Sequence, residues 1–369
     1  MKQKKSKVFV VILSLVLLVS ILAGCGGGNT GDTDSGATDQ NGSGTPAAAG
    51  ATKLSLTIGD PVNSSKAMFY QDLADKTREA TNGGLDITIY AGGTLFNHNE
   101  CLEGVLSGAA DMGWFYTPWA PGQFPLLEVS ALPMKYGNQY ASTYALQEIY
   151  KAGVPELDAE LSQFTVINLY SQPTNYLCTT FPISTPADLK GKQLRCTAGG
   201  HAECLTAWGA SPVSMAATEI YEAMDKGVIQ GCVYELSGVN TQSLHEVLDY
   251  YVYIPMFAAP FMIIMNNDSY AKIPAEYKDA FDQIWRDPQT SFDFTKMFAD
   301  EAEASRIKGV DEFGIKEITP DDAMMSLFSP AAENYWGKWL AANSNDGFDA
   351  QAYLDIYDGF YQKGVELYP

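Results

Sequence analysis

Apolar and polar residues follow a repeated order in the first part of the chain. The segment KLSLTIG (53–59) alternates between the two and contains β-branched residues, which is typical of a strand, and LDITIY (85–90) predicts another. Between them, Phe69 and Leu73 lie at roughly helical spacing, and Gly83–Gly84 marks the end of the helix. This strand–helix–strand order favours a parallel, doubly wound sheet, in which ligands bind at the carboxyl ends of the strands.

The second half of the chain repeats this order. Strands are predicted at FTVINLYSQ (164–172), YLCTTF (176–181), KQLRCT (192–197) and VIQGCVY (228–234), with short helical segments between the last three. The apolar run YVYIPMFAAPFMIIMN (251–266) is long enough to hold strands of two domains. We expect this run to join them.

A long stretch with helical spacing follows and is interrupted by one proline. Proline inside a helix costs about 3 kcal/mol or more. We therefore expect one helix to end at Trp285 and a second to begin with Asp287 as its cap and Pro288 in its first turn. The part from Ser329 onward is predicted to be helical and is rich in Tyr and Trp.

The first 24 residues are predicted to be a lipoprotein signal peptide. A basic segment with four lysines precedes a largely apolar run of 16 residues (8–23), whose end overlaps the sequence LAGC (22–25). A membrane-spanning helix needs about 20 apolar residues, so this run is short for a transmembrane anchor. We expect Cys25 to become the lipidated first residue of the mature protein.

Residues 25–52 are predicted to be a flexible tether. Gly, Ser, Thr and Asp dominate this segment, and no large apolar residue is present to favour a packed structure. The expected arrangement is a folded body held outside the cell membrane by a lipid and a flexible segment. This arrangement fits a lipoprotein of a cell without an outer membrane, and it equally fits a periplasmic lipoprotein.

The chain is strongly acidic, with 23 Lys and Arg residues against 44 Asp and Glu residues and a net charge of −21. Removing the four lysines of the signal peptide, which has no acidic residue, makes the net charge −25. Such a body repels nucleic acid, so no nucleic-acid partner is expected. A small anionic ligand needs a specific positive group to bind here.

Besides Cys25, the chain has five cysteines, namely Cys101, Cys178, Cys196, Cys204 and Cys232. Export permits disulfides, but sequence alone leaves their pairing open. His201 and Cys204 have the i, i+3 spacing of metal ligands, and a buried thiol beside a histidine is the favoured interpretation because no second pair is near. Neither a metal nor another cofactor is expected.

An exported hydrolase is the main enzymatic alternative. It requires a nucleophile with a base, or paired acids, on convergent loops. The chain has three histidines (His98, His201 and His245) and no G-x-S-x-G, H-E-x-x-H or Walker motif. We therefore predict that the protein is not an enzyme.

Several motifs resemble one family in one order along the chain. They are FYQDLADKTREATNGGLDITIYAGGTLF (69–96), GVLSGAADMG (104–113), SALP (130–133), TPADLKGKQLR (185–195) and GASPVSMAATEIYEAMDKGVIQG (209–231). Their shared order is similar to that of the extracytoplasmic solute-binding proteins of TRAP transporters, the tripartite ATP-independent periplasmic systems. The resemblance runs from about Leu54 to the C-terminus.

The resemblance implies a two-lobed α/β periplasmic-binding-protein fold with hinge-linked lobes and a long helix crossing both. We assign 53–172 plus 260–299 to lobe I and 173–259 plus 300–369 to lobe II, with hinges near Gln172 and Pro260. The lobes are expected to close on a ligand by hinge motion.

Arg195 falls on the arginine that pairs with the ligand's carboxylate in this family. A guanidinium offers two parallel N–H donors that match a carboxylate. From the sequence alone, a structural arginine paired with one of the many acidic residues is an equally good interpretation. The resemblance favours the ligand role.

The chain departs from the family pattern at several candidate ligand-binding positions. Tyr234 replaces an asparagine, Ala217 replaces an aromatic residue, Asn175 and Tyr176 stand where some members have an arginine, and Tyr116 stands where some have an acidic residue. Together with Trp114 and Phe257, these residues are candidate pocket walls, although each aromatic alone is as often a core residue. The loss of polar groups predicts a monocarboxylate ligand with an apolar or aromatic body.

The resemblance also implies the partners. Family members deliver their ligand to TRAP membrane permease subunits, which are driven by an ion gradient. We expect a monomer that contacts the membrane through the lipid on Cys25. A solute-binding lipoprotein of an ABC importer and a ligand receptor for a sensor kinase remain as alternatives.

Overall fold

The computed structural model describes residues 46–197 and 199–369, so the predicted signal peptide, Cys25 and most of the tether lie outside it. The strands are β1 (Thr52–Thr57), β2 (Leu85–Tyr90), β3 (Met112–Tyr116), β4 (Thr165–Ser171), β5 (Asn175–Thr179), β6 (Gln193–Arg195), β7 (Ser211–Val213), β8 (Gly231–Tyr234), β9 (Tyr250–Phe257), β10 (Pro260–Met265) and β11 (Lys316–Ile318). The α-helices are α1 (Ser65–Ala80), α2 (Cys101–Leu106), α3 (Gln139–Lys151), α4 (Pro155–Leu161), α5 (Gly200–Ala207), α6 (Ile220–Asp225), α7 (Leu236–Thr241), α8 (Asn267–Ala271), α9 (Ala275–Trp285), α10 (Pro288–Phe313), α11 (Asp322–Asn343) and α12 (Ala350–Leu367).

The first sheet has the strand order β2-β1-β3-β10-β4 and forms the base of lobe I. Strand β1 pairs in parallel with both β2 and β3, as the strand–helix–strand pattern predicts. Strand β10 runs antiparallel to β3 and β4, so the expected all-parallel sheet is wrong on this side. The cause is that β10 enters from the other sheet instead of through a helical crossover.

The second sheet has the order β11-β9-β5-β8-β6-β7 and forms the base of lobe II. Strand β6 pairs in parallel with β7 and β8, whereas β5 runs antiparallel to β8 and β9. Arg195 is the last residue of β6 and therefore lies at its carboxyl end.

The chain passes between the sheets at two adjacent places. Residues 172–174 connect β4 to β5, and 258–259 connect β9 to β10, so the apolar run 251–266 supplies a strand to each sheet as expected. The backbone N–H of Gln172 donates to the carbonyl oxygen of Ala259 at 3.1 Å, which joins the two crossings. These are the positions expected as hinges, and their bending stays a prediction.

Helix α10 has 26 residues and contacts both lobes. Asp287 caps it by accepting a hydrogen bond from the N–H of Gln289 at 2.8 Å, and Pro288 is its first residue. Both features were expected, because proline lacks the N–H that a first helical position leaves unused. The helix packs on β4 and α3 in lobe I and on α7 in lobe II.

The position of the last helix differs from the expected assignment, which placed residues 300–369 in lobe II. Helix α12 packs along α3 of lobe I. The Tyr136 hydroxyl donates to the Asp358 carboxylate at 2.5 Å, and the Asn138 side-chain amide donates to the Tyr368 carbonyl oxygen at 2.7 Å. The sequence of an amphipathic helix shows which face is apolar but not which partner covers it.

An aromatic cluster holds the helices of lobe I around β4. Tyr70 of α1 stacks on Trp285 of α9 and on Phe294 of α10, with ring centroids 6.2 and 5.1 Å apart. The indole N–H of Trp285 donates to the Thr77 hydroxyl at 2.8 Å, which satisfies its buried polar group. This packing fixes α1, whose first turn carries a residue of the site described next.

Candidate functional site

Arg195 lies between the two lobes in a buried position. Its side chain is 7% exposed, and its Nε donates to the Met215 carbonyl oxygen at 3.2 Å. The guanidinium carbon lies 5.4 Å from the ring centroid of Tyr234, which is the last residue of the neighbouring strand β8. These contacts hold the stem of the side chain and direct the guanidinium to the carboxyl edge of the sheet.

Two Lys or Arg side chains are buried in residues 46–197 and 199–369, and they differ in their partners. Lys66 of α1 is 7% exposed and forms an ion pair with Asp60 at 2.7 Å. Arg195 forms no salt bridge with any described residue. A buried charge is costly unless it is paired, and no described carboxylate offsets this cost for Arg195.

The wall of lobe I opposite Arg195 is aromatic. Trp114 and Tyr116 lie at the end of β3, and both rings pack on Phe261, with centroid separations of 4.5 and 4.6 Å. The indole N–H of Trp114 donates to the Tyr170 hydroxyl at 2.6 Å. The Lys66 ammonium lies 3.3 Å from the Trp114 ring centroid, so this face of the indole is occupied.

The hydroxyl of Tyr116 faces lobe II. Burial raises the pKa of Tyr116 well above its usual range, and the amide of Gln172 and the charge of Arg195 oppose that shift. The Gln172 amide nitrogen lies near this hydroxyl, without a hydrogen bond of good geometry to any described residue. Burial likewise raises the pKa of Tyr234, and Arg195 again opposes the shift. The charge of Arg195 therefore acts on tyrosine hydroxyls of both lobes, which are hydrogen-bond donors.

Glu235 adds a carboxyl group beside these donors. Burial raises its pKa, while hydrogen bonds from the Ser237 hydroxyl and from the backbone N–H groups of Ser237 and Gly238 oppose the rise, as does the charge of Lys66. The charge of Lys66 in lobe I thus influences the Glu235 carboxyl of lobe II, although the ion-pair partner of Lys66 is Asp60. Burial also lowers the pKa of Lys66, and the nearby Asp60 carboxylate counteracts this.

Two other residues that the sequence proposed for the site, Ala217 and Asn175, lie in different parts of the fold. Ala217 is partly buried at the start of the turn before α6, near the Met215 carbonyl that holds Arg195. The Asn175 side-chain amide donates to the carbonyl oxygens of Pro173 and Phe257, both at 3.4 Å. It therefore stabilises the crossing between the lobes, and its ligand role stays a prediction.

Tyr176 and Phe257 line two further cavities. Tyr176 packs edge-on against Tyr253 at 5.1 Å and borders a cavity of about 250 Å³ beside α10. Phe257 stacks on His201 at 4.1 Å and borders a cavity of about 210 Å³ between the residues after β3 and the start of α5. Both cavities lie next to the interlobe crossings, and neither Arg195 nor Tyr234 lines either of them.

Histidines and cysteines serve as packing groups in this fold. Burial lowers the pKa of His201 to about 4, so the imidazole is neutral near pH 7. All five described cysteines are buried, and none forms a disulfide in the structure. Outside residues 1–45 and 198, no group of three or more His, Cys, Asp or Glu side chains is placed to hold a metal ion. Over the same residues, no helix has the length and apolar character to cross a membrane.

The sequence interpretation missed Lys66, Glu235 and Gln172. Lys66 shares its helical face with the buried residues Tyr70 and Leu73. A lysine on an apolar helical face is the sequence pattern that could have indicated a buried cation here. Glu235 directly follows Tyr234, but nothing local indicates that its carboxyl is buried or influenced by a lysine of the other lobe. Gln172 was named only as a hinge.

Comparisons with known proteins identify the family. The sequence model of the "Bacterial extracellular solute-binding protein, family 7" matches residues 59–342, so the chain belongs to this family. It is a family of extracytoplasmic receptors and not of enzymes, which confirms the prediction that the protein is not an enzyme. The resemblance to TRAP solute-binding proteins is confirmed as well.

Two curated relatives match over most of their length. The C4-dicarboxylate-binding periplasmic protein DctP of Rhodobacter capsulatus is 24% identical over 255 residues, which are 68% of this chain and 74% of the relative. The 2,3-diketo-L-gulonate-binding periplasmic protein YiaO of Escherichia coli is 22% identical over 265 residues, 70% of this chain and 78% of the relative.

Solved structures support the two-lobed fold. A TRAP periplasmic solute-binding protein of Desulfovibrio salexigens, in an open complex, is 25% identical with a TM-score of 0.77, covering 85% of this chain and 97% of that one. A TRAP solute-binding protein of Rhodoferax ferrireducens with copurified benzoate is 21% identical with a TM-score of 0.77, covering 86% and 100%. The predicted fold class is therefore confirmed.

Proposed function

We propose that this protein captures a small monocarboxylate with an apolar or aromatic body, and that Arg195 binds its carboxylate. The observation that carries the proposal is the contrast between the two buried cations, because Lys66 has a carboxylate partner and Arg195 has none among the described residues. A ligand carboxylate in the cleft supplies the missing partner. Hydrogen bonds to a charged group contribute about 1.5–3 kcal/mol each.

The cleft offers few groups for a polyhydroxylated ligand. The polar groups of the cleft are the hydroxyls of Tyr116 and Tyr234, the amide of Gln172 and the carboxyl of Glu235, whose oxygens already accept hydrogen bonds from Ser237 and Gly238. Trp114, which carries the Lys66 ammonium on one face, and Phe261 form an aromatic wall. Each hydroxyl of a sugar acid left without a partner in this cleft loses its hydrogen bonds to water, at a cost of about 1–3 kcal/mol. An aromatic or aliphatic body avoids this cost.

Ligands of similar structures are compatible with this chemistry. The Rhodoferax ferrireducens protein holds benzoate, and a protein of Bordetella bronchiseptica that is 20% identical holds mandelate. At this identity the likeness establishes the fold alone. The names of other relatives include a C4-dicarboxylate and a sugar acid, which are therefore the alternatives that an experiment must separate.

A thermal-shift screen tests the proposal. Benzoate, mandelate, succinate and glucuronate are added to the wild type, to Arg195→Gln and to the control Arg78→Gln, whose arginine is ion-paired to Asp86 at 2.7 Å away from the cleft. A ligand at 100 times its dissociation constant adds about 2.7 kcal/mol to the stability. We expect benzoate or mandelate to raise the Tm of the wild type and of Arg78→Gln only. A response to succinate or glucuronate alone, or an equal rise in Arg195→Gln, contradicts the proposal.

We also propose that a lipid on Cys25 anchors the monomer to the outer face of the membrane, and that the ligand-loaded protein, closed about its hinges, delivers the ligand to TRAP membrane subunits. The signal-peptide pattern and the family support this proposal. Replacing Cys25 by Ser is expected to release the protein from the membrane fraction. Uptake of the ligand that requires an ATPase instead of an ion gradient contradicts the proposed delivery.

A further inference from the structure

Two cysteines face each other in the second sheet. Strands β5 and β8 are antiparallel, and their register places Cys178 directly opposite Cys232. Both side chains are 0% exposed. Cys232 is also opposite Arg195 in the β6–β8 pair, so the two thiols lie in the same cross-strand row as Arg195.

Opposite residues of an antiparallel pair have the spacing that a disulfide needs. Their Cα atoms lie about 4.5–5.5 Å apart, depending on whether the pair is hydrogen-bonded. Disulfide-linked cysteines have Cα atoms about 4.4–6.8 Å apart. The Cys178–Cys232 bond therefore requires rotation of the side chains and no movement of the strands.

The other three described cysteines lack such a partner. Within 46–197 and 199–369, no other strand pair brings two cysteines opposite each other. Cys101 donates its S–H to the Trp114 carbonyl oxygen at 3.3 Å. Cys196 follows β6 and Cys204 lies in α5, so neither belongs to a paired strand.

We propose that Cys178 and Cys232 form a cross-strand disulfide in the exported protein. The oxidant is a disulfide donor of the extracytoplasmic space, either an oxidised dithiol oxidoreductase or a small disulfide such as oxidised glutathione. One thiol loses its proton and attacks a sulfur of the donor, giving a mixed disulfide and one donor thiol. The second thiol then loses its proton and attacks the protein sulfur, so the protein gives up two electrons and the donor leaves as two thiols.

Burial determines when this exchange takes place. In the folded protein the neighbouring Cys232 thiol and burial hold the pKa of Cys178 well above its ordinary value, so the reactive thiolate is scarce. The exchange therefore occurs after export and before α6 and α7 cover this face of the sheet. Once formed, the bond links β5 to the strand that carries Tyr234.

Differential alkylation of the full-length chain tests the proposal. The exported protein is denatured, alkylated with and without prior reduction, digested and analysed by mass spectrometry. We expect Cys178 and Cys232 to be alkylated only after reduction, and Cys101, Cys196 and Cys204 to be alkylated in both samples. A chain without its first 24 residues, kept in the reducing cytosol, serves as the control in which all five are alkylated directly. Direct alkylation of Cys178 and Cys232 in the exported protein overturns the proposal.

Thermal unfolding gives a second readout. Reduction is expected to lower the Tm of the wild type and of Cys101→Ser, because the bond restricts the unfolded chain. The double variant with Cys178→Ser and Cys232→Ser is expected to have the same Tm with and without reductant. A drop of equal size in the double variant overturns the assignment of the bond to this pair. Neither experiment depends on the ligand.

Discussion

The ammonium nitrogen of Lys66 lies 3.3 Å from the centroid of the Trp114 indole ring. Its second partner is the Asp60 carboxylate at 2.7 Å. Cation–π contacts contribute about 2 kcal/mol or more when the cation is desolvated, as it is here. The lysine thus fixes the indole that forms the wall opposite Arg195, and it neutralises an acid that would otherwise repel an anionic ligand.

Replacing Lys66 by Met is expected to destabilise the protein. The apolar stem keeps its volume, but Asp60 loses its partner, and breaking a mostly buried pair by removing one side costs about 3 kcal/mol. The free energy of unfolding, measured with urea, checks this. The matched control is Lys76→Met, because the Lys76–Asp72 pair has side chains that are 58% and 59% exposed, and such pairs contribute about 0–1 kcal/mol. Equal losses in the two variants would refute the structural role of Lys66.

Glu235 gives a prediction on pH dependence. Burial raises the pKa of its carboxyl in the folded state, so the folded protein holds a proton here that the unfolded chain has already released. The contribution of the Glu235 carboxyl to the free energy of unfolding therefore falls as the pH rises from the ordinary pKa of a glutamate through the raised pKa of the folded protein. In Glu235→Gln this fall should be absent, which makes the variant more stable than the wild type at pH 7. Urea unfolding at several pH values between 4 and 8 measures the difference, and parallel curves for the two proteins would show that Glu235 is not perturbed.

His201 has the opposite pH dependence. Burial lowers its pKa to about 4, so the unfolded chain takes up a proton between pH 6.5 and 4 that the folded protein does not. The contribution of His201 to the free energy of unfolding is fully present above pH 6.5 and is lost as the pH falls toward 4. Because one pKa unit corresponds to about 1.36 kcal/mol, the loss is about 3 kcal/mol. His201→Phe keeps the stacking on Phe257, and its loss of stability on acidification should be smaller by this amount. Identical acid sensitivity in the two proteins would mean that His201 is accessible to protons.

Two glycines of α12 test the packing of this helix on lobe I. A Cβ at Gly364 would lie 2.7 Å from the backbone Cα of Ala141 in α3, so Gly364→Ala forces the helices apart. Overpacking of this kind costs about 1–3 kcal/mol. A Cβ at Gly359 meets no atom within 4 Å, and Gly359→Ala should gain up to about 1 kcal/mol because alanine favours the helix. Opposite changes in Tm are expected, and a neutral Gly364→Ala would argue that α12 packs elsewhere.

Local patterns predicted most of the elements, and the family resemblance led to Arg195, Trp114, Tyr116 and Tyr234 of the site. Alternation and helical spacing located β1, β2 and α1, and the Asp287–Pro288 pair marked the start of α10. These signals are local, since a cap or a proline acts within one helical turn. Arg195 was selected because its motif resembles that of a known family and because a guanidinium suits a carboxylate.

Features that depend on long-range packing were not predictable from the sequence. The influence of the Lys66 charge on Glu235 joins residues that lie far apart in the chain and in different lobes. The Cys178–Cys232 pair depends on strand register, which is set by the whole sheet. The placement of α12 depends on which apolar face accepts it. In each case, the sequence shows the chemical group but not its neighbour.

Calorimetric titration with the acid that gives the largest thermal shift tests the proposed carboxylate site of Arg195 directly. The proteins compared are the wild type, Arg195→Lys, Arg195→Gln and the control Arg78→Gln. Loss of two hydrogen bonds to a charged group, at about 1.5 kcal/mol or more each, predicts at least about 100-fold weaker binding by Arg195→Gln. We expect Arg195→Lys to bind with intermediate affinity, because an ammonium keeps the charge without the paired donors, and Arg78→Gln to match the wild type. If folded Arg195→Gln binds the acid as tightly as the wild type, Arg195 is a scaffold residue and the proposed carboxylate site is wrong.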